Sequence, residues 1–223
     1  MRWSHGRRFE FARDLVKRLG GRSLFDYGCG DATFAKHVVH DIDRCVVSDL
    51  APCELSHLPE VEFVAIRDLG EAQWHRFDLV FCMEVLEHCV DAAVEQTLDH
   101  LHRLVAPGGR VVVSVPIEIG PTLLGKHFMR HFLVRRNIGT YKWTEKHSLG
   151  SLTKMVFAGR NTAIERPLYQ EGPASWHSHH GFNWRSMRER VATRFVIEKT
   201  HFTPLPFTRG FVSSQAWFIC RPR

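Results

Sequence analysis

The sequence predicts an α/β protein with a doubly wound, mostly parallel sheet, and three observations carry that expectation. Strand-like and helical stretches alternate through the first half of the chain. Two runs, 77–82 and 110–115, are apolar or β-branched almost throughout, as strands covered on both faces must be. A glycine turn, Gly28-Cys29-Gly30, closes the first strand and opens a helix, so that backbone N–H groups can face a ligand. Alternation breaks down after Pro116 and resumes near Trp184. A cap inserted after strand five is therefore expected over 117–180, within a single domain spanning 1–223.

Each element has its own signal. Apolar residues recur at helical spacing from Phe9 to Leu19, and Gly20-Gly21 supplies the stop. Strand one is 23–27, followed by a helix over 32–39. Strand two is 44–48 and ends at Asp49; strand three is 61–66 and ends before Asp68; strand four is 77–82. An amphipathic helix over 92–105 is stopped by Pro107-Gly108-Gly109. Strand five is 110–115. A helix over 184–194, a strand over 195–199 and a last strand over 216–220 complete seven strands, with a proline-punctuated loop at 203–207.

Composition narrows the function classes. The chain has 223 residues, 44% hydrophobic, with 30 Lys+Arg against 24 Asp+Glu and a formal net charge of +6. That is one globular domain's length and an ordinary core-forming composition, not a disordered chain. No apolar run reaches the ~18 residues a bilayer span requires, and the first residues lack a signal-peptide pattern. The six cysteines form no C-x-x-C pair, which points to buried thiols in a reducing compartment, and hence to a cytoplasmic location. Between Ile117 and His180, nine Lys or Arg face four acids, a local +5 that holds nearly all of the net charge.

An acid before the glycine turn, Asp26, and a second, Asp49, about twenty residues on at the end of strand two sharpen a signal that Gly-x-Gly alone leaves weak. With these residues, the sequence resembles the class I S-adenosylmethionine (SAM)-dependent methyltransferases of small-molecule type. The resemblance rests on Leu24-Phe25-Asp26-Tyr27-Gly28-Cys29-Gly30-Asp31-Ala32, on Asp49, on the block from Phe77 to His88, and on Leu104-Val105-Ala106-Pro107-Gly108-Gly109-Arg110, in that order. It implies a Rossmann-like sheet whose last strand is antiparallel, with SAM bound across the strand ends and S-adenosylhomocysteine as product. It also implies roles. Gly28 and Gly30 would pack on the methionine part and Asp26 would meet its amino group. Asp49, with Leu50 beside it, would hold the ribose; Asp68 and Leu69 would border the adenine; Met83 and Glu84 would border the methyl-donor side. Ala32 departs from the family's usual glycine at the third small position.

The sulfonium makes the methyl group electrophilic, so catalysis is largely alignment of an acceptor lone pair. A hydroxyl acceptor needs a base, and His suits neutral pH. The candidates are His88, His147, His177, His179 and His180. His180 is preferred, then His179, then His88, because the family resemblance places a His-Gly-Phe element such as His180-Gly181-Phe182 at the acceptor pocket. Three close histidines, His177, His179 and His180, also raise a metal, but without a carboxylate or Cys partner in sequence no metal is expected.

Lys126 to Lys146 interleaves cations with aromatic and aliphatic residues. A lid recognising an anionic or sugar-bearing acceptor, a membrane-surface helix near a lipid-linked acceptor, and a phosphate-binding surface compete for it, beside a plain solvated face. The lid is preferred. DNA is not expected, and RNA is disfavoured because position 82–85 reads Cys-Met-Glu-Val instead of a base-amino methyltransferase signature. Transfer to oxygen of a small molecule is the leading expectation. A tRNA or rRNA methyltransferase and a SAM-binding module without turnover are the rivals.

Overall fold

The computed structural model describes residues 2–123, 149–171 and 174–223. The strands are β1 (Ser23–Tyr27), β2 (Arg44–Ser48), β3 (Val61–Phe63), β4 (Phe77–Met83), β5 (Val105–Pro116), β6 (Leu168–Glu171), β7 (Ala174–His177), β8 (Phe195–Thr203) and β9 (Gln215–Pro222). The helices are α1 (Arg2–Leu19), α2 (Thr33–Val38), α3 (Asp91–Leu104), α4 (Leu149–Val156) and α5 (Trp184–Arg194). Seven strands form one sheet in the order β3-β2-β1-β4-β5-β9-β8, and β6 pairs only with β7. Strands β1 to β5 pair in parallel, while β9 runs antiparallel to both β5 and β8. The expected doubly wound sheet with a reversed last strand is what the chain forms.

Alternation along each strand divides the core in two. Phe25, Val80, Val113 and Phe218 point to one face, under α3 and α5; Leu24, Phe81, Val112 and Trp217 point to the other, under α1 and α2. Each of these side chains is essentially fully buried, and such burial contributes about 1.5–3 kcal/mol apiece. Chain order reverses between β1 and β4, and the crevice outside the strand ends at that switch point is where open α/β sheets bind ligands.

Several elements differ from the sequence expectation. Helix α1 begins at Arg2, well before Phe9. Strand β3 ends at Phe63, and Ile66–Asp68 is a 3-10 turn; the Val64 and Ile66 amides still reach Val47 and Asp49 carbonyls, so the backbone bends without losing its edge bonds. Strand β5 starts at Val105, directly after α3. Val105 pairs with Phe77, and a register shift between Phe77 and Leu79 absorbs the Pro107-Gly108-Gly109 step. The β6–β7 hairpin was not signalled. The sequence expectations for Lys126–Lys146 and His147 fall outside the described residues.

Helix α5 is fixed to the chain before it by Asn183. Its side-chain oxygen accepts the Arg185 and Ser186 amides at 3.1 and 3.3 Å, an N-cap of about 1 kcal/mol, and its Nδ2 donates to the Gly159 carbonyl at 2.8 Å.

Candidate active site

The turn after β1 is held from below and from the side. The Gly28 and Cys29 amides donate to the Ser48 carbonyl at 2.7 and 3.0 Å. Gly28 has φ +77, and a Cβ there would lie 2.3 Å from Val85 Cγ2, so only glycine fits between β1 and the chain leaving β4. A Cβ at Gly30 would meet nothing within 4 Å, which leaves that face of the turn open. Ala32 takes φ +55 while fully buried, a left-handed conformation that costs alanine about 1–2 kcal/mol.

Two acids flank this turn in different surroundings. Asp49 accepts the Gly30 amide on Oδ2 at 2.8 Å and the Leu50 amide on Oδ1 at 2.7 Å, so its carboxylate clamps the turn to the end of β2. Asp26 is buried, and its Oδ2 has no hydrogen-bond partner among the described residues. Burial, with the negative charge of Asp49 adding and Arg8 opposing, pushes the Asp26 carboxyl up to about 7. A buried carboxylate with an idle oxygen suits a cationic donor such as an ammonium group. Below the turn, Leu50, Phe63, Val64 and Asp68 line an open cleft of about 430 Å³. Leu69 packs against the core instead.

The chain leaving β4 carries the second half of the site. Met83 is buried, and Glu84 adopts φ +58. Its amide donates to the Ser114 carbonyl at 3.0 Å, its Oε1 accepts the Ser114 hydroxyl at 3.3 Å, and Arg8 lies 3.7 Å from Oε2. A non-glycine residue in that conformation stores of order 1–3 kcal/mol of strain, which surrounding bonds must hold.

Beyond Glu84, the structure gathers residues that sequence spacing could not. Glu87 is fully buried, and neither carboxyl oxygen has a hydrogen-bond partner among the described residues. Burial first, and the neighbouring Glu84 charge second, raise its carboxyl well above the usual range, opposed first by its own backbone N–H and then by Arg8 and Arg166. His88 Nε2 and His179 Nδ1 each lie 3.9 Å from Glu87 Oε1, and the two imidazoles meet edge to face at 4.7 Å. Arg166 donates to the Glu87 and Ser178 carbonyls and stacks over Phe182, so this member of the basic 117–180 stretch serves the site's frame. His177 Nδ1 pairs with the Pro167 carbonyl at 2.9 Å. His180, first in the sequence ranking, is half-buried with its amide on Ser178 Oγ at 3.3 Å; His179 and His88 are the histidines placed against Glu87. Glu87 and Arg166 were absent from the sequence candidates. The signal that could have found Glu87 is an acid set inside the apolar block Val85-Leu86, next to a histidine.

A seven-stranded sheet with one reversed strand, a glycine turn at its switch point and an acid at the end of β2 define the class as a Rossmann-like, class I methyltransferase fold. The chain belongs to the family described as a methyltransferase domain, which matches residues 4–154, more than half of its length. It is 27% identical over 152 residues to a ubiquinone biosynthesis O-methyltransferase of Alkalilimnicola ehrlichii, covering 62% of this chain and 60% of that protein. A protein of the same name from Neisseria meningitidis serogroup C is 28% identical over 153 residues, covering 61% and 62%. The chain thus spans about three fifths of the length of these curated relatives. The fold is shared with PH0226 of Pyrococcus horikoshii (TM-score 0.62, 13% identity, 98% of this chain and 91% of that one). It is shared too with a 1,6-didemethyltoxoflavin-N1-methyltransferase of Burkholderia thailandensis, solved with that compound and S-adenosylhomocysteine (TM-score 0.58, 15% identity, 99% and 80%).

Proposed function

We propose that this chain is a SAM-dependent methyltransferase that transfers a methyl group to a hydroxyl of a small molecule. The observation that carries the cofactor assignment is Asp26, whose buried carboxyl presents an idle oxygen beside a turn that tolerates no side chain at Gly28. When bound, SAM supplies the methyl group as a sulfonium electrophile. The chain's own part is to receive the amino group at Asp26, shape the methionine site with Gly28 and Gly30, and hold the ribose side through Asp49. Leu50 and Asp68, which line the 430 Å³ cleft, would border the adenine, with Leu69 behind them. Met83 and Glu84 would border the methyl-donor side, near the Glu87–His88–His179 group from which an acceptor hydroxyl would be activated.

Support for oxygen as the acceptor atom comes from the relatives named as ubiquinone biosynthesis O-methyltransferases. Those names also favour a lipid-linked, ring-bearing acceptor over a sugar. No helix among the described residues is long and apolar enough to cross a membrane. Six free thiols, including Cys29 and Cys53 at 3.8 Å from each other, favour a reducing, cytoplasmic setting. The residues 117–180 would form the acceptor-facing cap of a single domain.

The test is methyl transfer from isotopically labelled SAM to prenylated phenols, water-soluble phenols, sugars and bulk tRNA offered in parallel. Label recovered in a phenol is expected. Label in tRNA, or failure of S-adenosylhomocysteine to bind by calorimetry, overturns the reading.

A further inference from the structure

We propose that Glu87, His88 and His179 form a binding site for a divalent first-row metal cation at the edge of the sheet. One donor atom from each lies within 4.8 Å of the other two, and both histidine nitrogens sit 3.9 Å from the same oxygen, Glu87 Oε1. Bonds of about 2.1 Å to a shared cation bring such donors to roughly 3–3.5 Å from one another. The two 3.9 Å pairs must close by about 0.4–0.9 Å and the widest pair by up to about 1.3–1.8 Å, a movement that rotation of the two half-exposed imidazoles supplies.

Two further observations point to a cation. The Glu87 side chain is 0% exposed and both of its oxygens lack a hydrogen-bond partner among the described residues, an arrangement expensive to leave unmet. His88 is also oriented as a ligand is. Its Nδ1 is 2.9 Å from the His177 carbonyl oxygen, which places a proton on Nδ1, so that in the neutral ring Nε2 is the lone-pair nitrogen on the side of Glu87. A backbone carbonyl behind a ligating imidazole is the usual outer-shell support. His88 and His179 are 39% and 45% exposed at the side chain, so the cation would be buried on the Glu87 side and open on theirs. One carboxylate and two imidazoles suit Mn²⁺, Fe²⁺, Co²⁺ or Zn²⁺ and leave positions for an outside oxygen.

The catalytic use of this site rests on the transferase assignment above; its occupancy does not. An acceptor hydroxyl bound to the cation gives up its proton to solvent more readily. The alkoxide or phenolate oxygen then forms the new C–O bond as the C–S bond breaks, and sulfur keeps that electron pair as a neutral thioether.

The experiment is Mn²⁺ binding to the chelator-stripped full chain, without SAM, read by the loss of free-ion electron paramagnetic resonance signal and by calorimetry. One equivalent is expected to bind. Glu87→Gln and His179→Ala should each weaken it at least tenfold, and His180→Ala should leave it unchanged. His179 is half-exposed, so its variant keeps the test valid if Glu87→Gln fails to fold. No stoichiometric binding to the wild type, or equal binding by the His179 variant, overturns the site. Mn²⁺ binding without methyl transfer to any acceptor would instead leave the site standing and remove the proposed reaction.

Discussion

His88 and His177, 89 positions apart, are joined twice: the His88 imidazole Nδ1 lies 2.9 Å from the His177 carbonyl oxygen, and the His177 amide donates to the His88 carbonyl at 3.0 Å. The pairing fastens the end of β7 to the chain leaving β4. Trp176 adds to the joint, edge to face with His88 and stacked on Tyr169.

Replacing His88 with Ala removes the side-chain half of this joint and keeps the backbone half. The expected loss of stability is about 1 kcal/mol, the net worth of one such bond. Hydrogen exchange over 168–177 should speed up more than exchange in β4, and unchanged exchange in the hairpin would refute the fastening role.

Gly28→Ala should be far more costly. It sets a methyl group 2.3 Å from Val85 Cγ2 at φ +77, and overpacking plus backbone strain is expected to cost about 2–4 kcal/mol. Val85→Ala in the same chain should recover the steric part and leave about 1 kcal/mol from the left-handed backbone. Chemical denaturation of the single and double variants checks this, and failure of the second change to rescue the first would place the clash elsewhere.

Asp26 makes the ligand-free protein sensitive to pH in a defined direction. Unfolded, it ionises near 3.8; folded, it keeps its proton to about 7. The group therefore favours the fold fully below about pH 4, and that advantage disappears as pH rises through 7, a difference of up to about 4 kcal/mol. Asp26→Asn should flatten this part of the stability profile and gain most over wild type near pH 8. An ammonium ligand requires the ionised carboxylate, so S-adenosylhomocysteine should bind more tightly from pH 6 to 8 and release a proton below 7. Calorimetry in buffers of differing ionisation heat measures that release; proton-neutral binding at pH 6 would separate Asp26 from the amino group.

The sheet was readable because a strand buried on both faces has no polar side to interrupt it, as in 77–83 and 110–116, and because Gly28 and Asp49 lie at short-range, fixed offsets. The cluster at Glu87 was not. Apart from His88, its partners Arg166 and His179 arrive from 79 and 92 positions away, on either side of a hairpin of two four-residue strands. The family resemblance instead favours His180 through the element His180-Gly181-Phe182; His180 adjoins His179 in the chain, while the histidines placed against Glu87 are His88 and His179. Strand three was overextended because its apolar residues continue to Ile66, while the backbone turns there to pack Val64 and Ile66 against the core.

Asp49 has two jobs that a single substitution confounds, and separating them tests the ribose assignment. Its two oxygens already accept the Gly30 and Leu50 amides at 2.8 and 2.7 Å, so Asp49→Ala should loosen the turn itself, costing about 1–3 kcal/mol of stability. Loss of S-adenosylhomocysteine affinity by tenfold or more would follow from that alone. Each carboxylate oxygen has lone pairs beyond the one an amide uses, so ribose hydroxyls can add to the existing bonds without displacing them. The discriminating measurement compares S-adenosylhomocysteine with its 2′,3′-dideoxy analogue by calorimetry on both proteins. If Asp49 receives the hydroxyls, wild type should prefer the natural ligand by roughly tenfold or more, as two charge-assisted bonds warrant, and Asp49→Ala should bind the two almost equally. An equal preference in wild type and variant would leave Asp49 as the clamp of the turn and give the ribose to another residue.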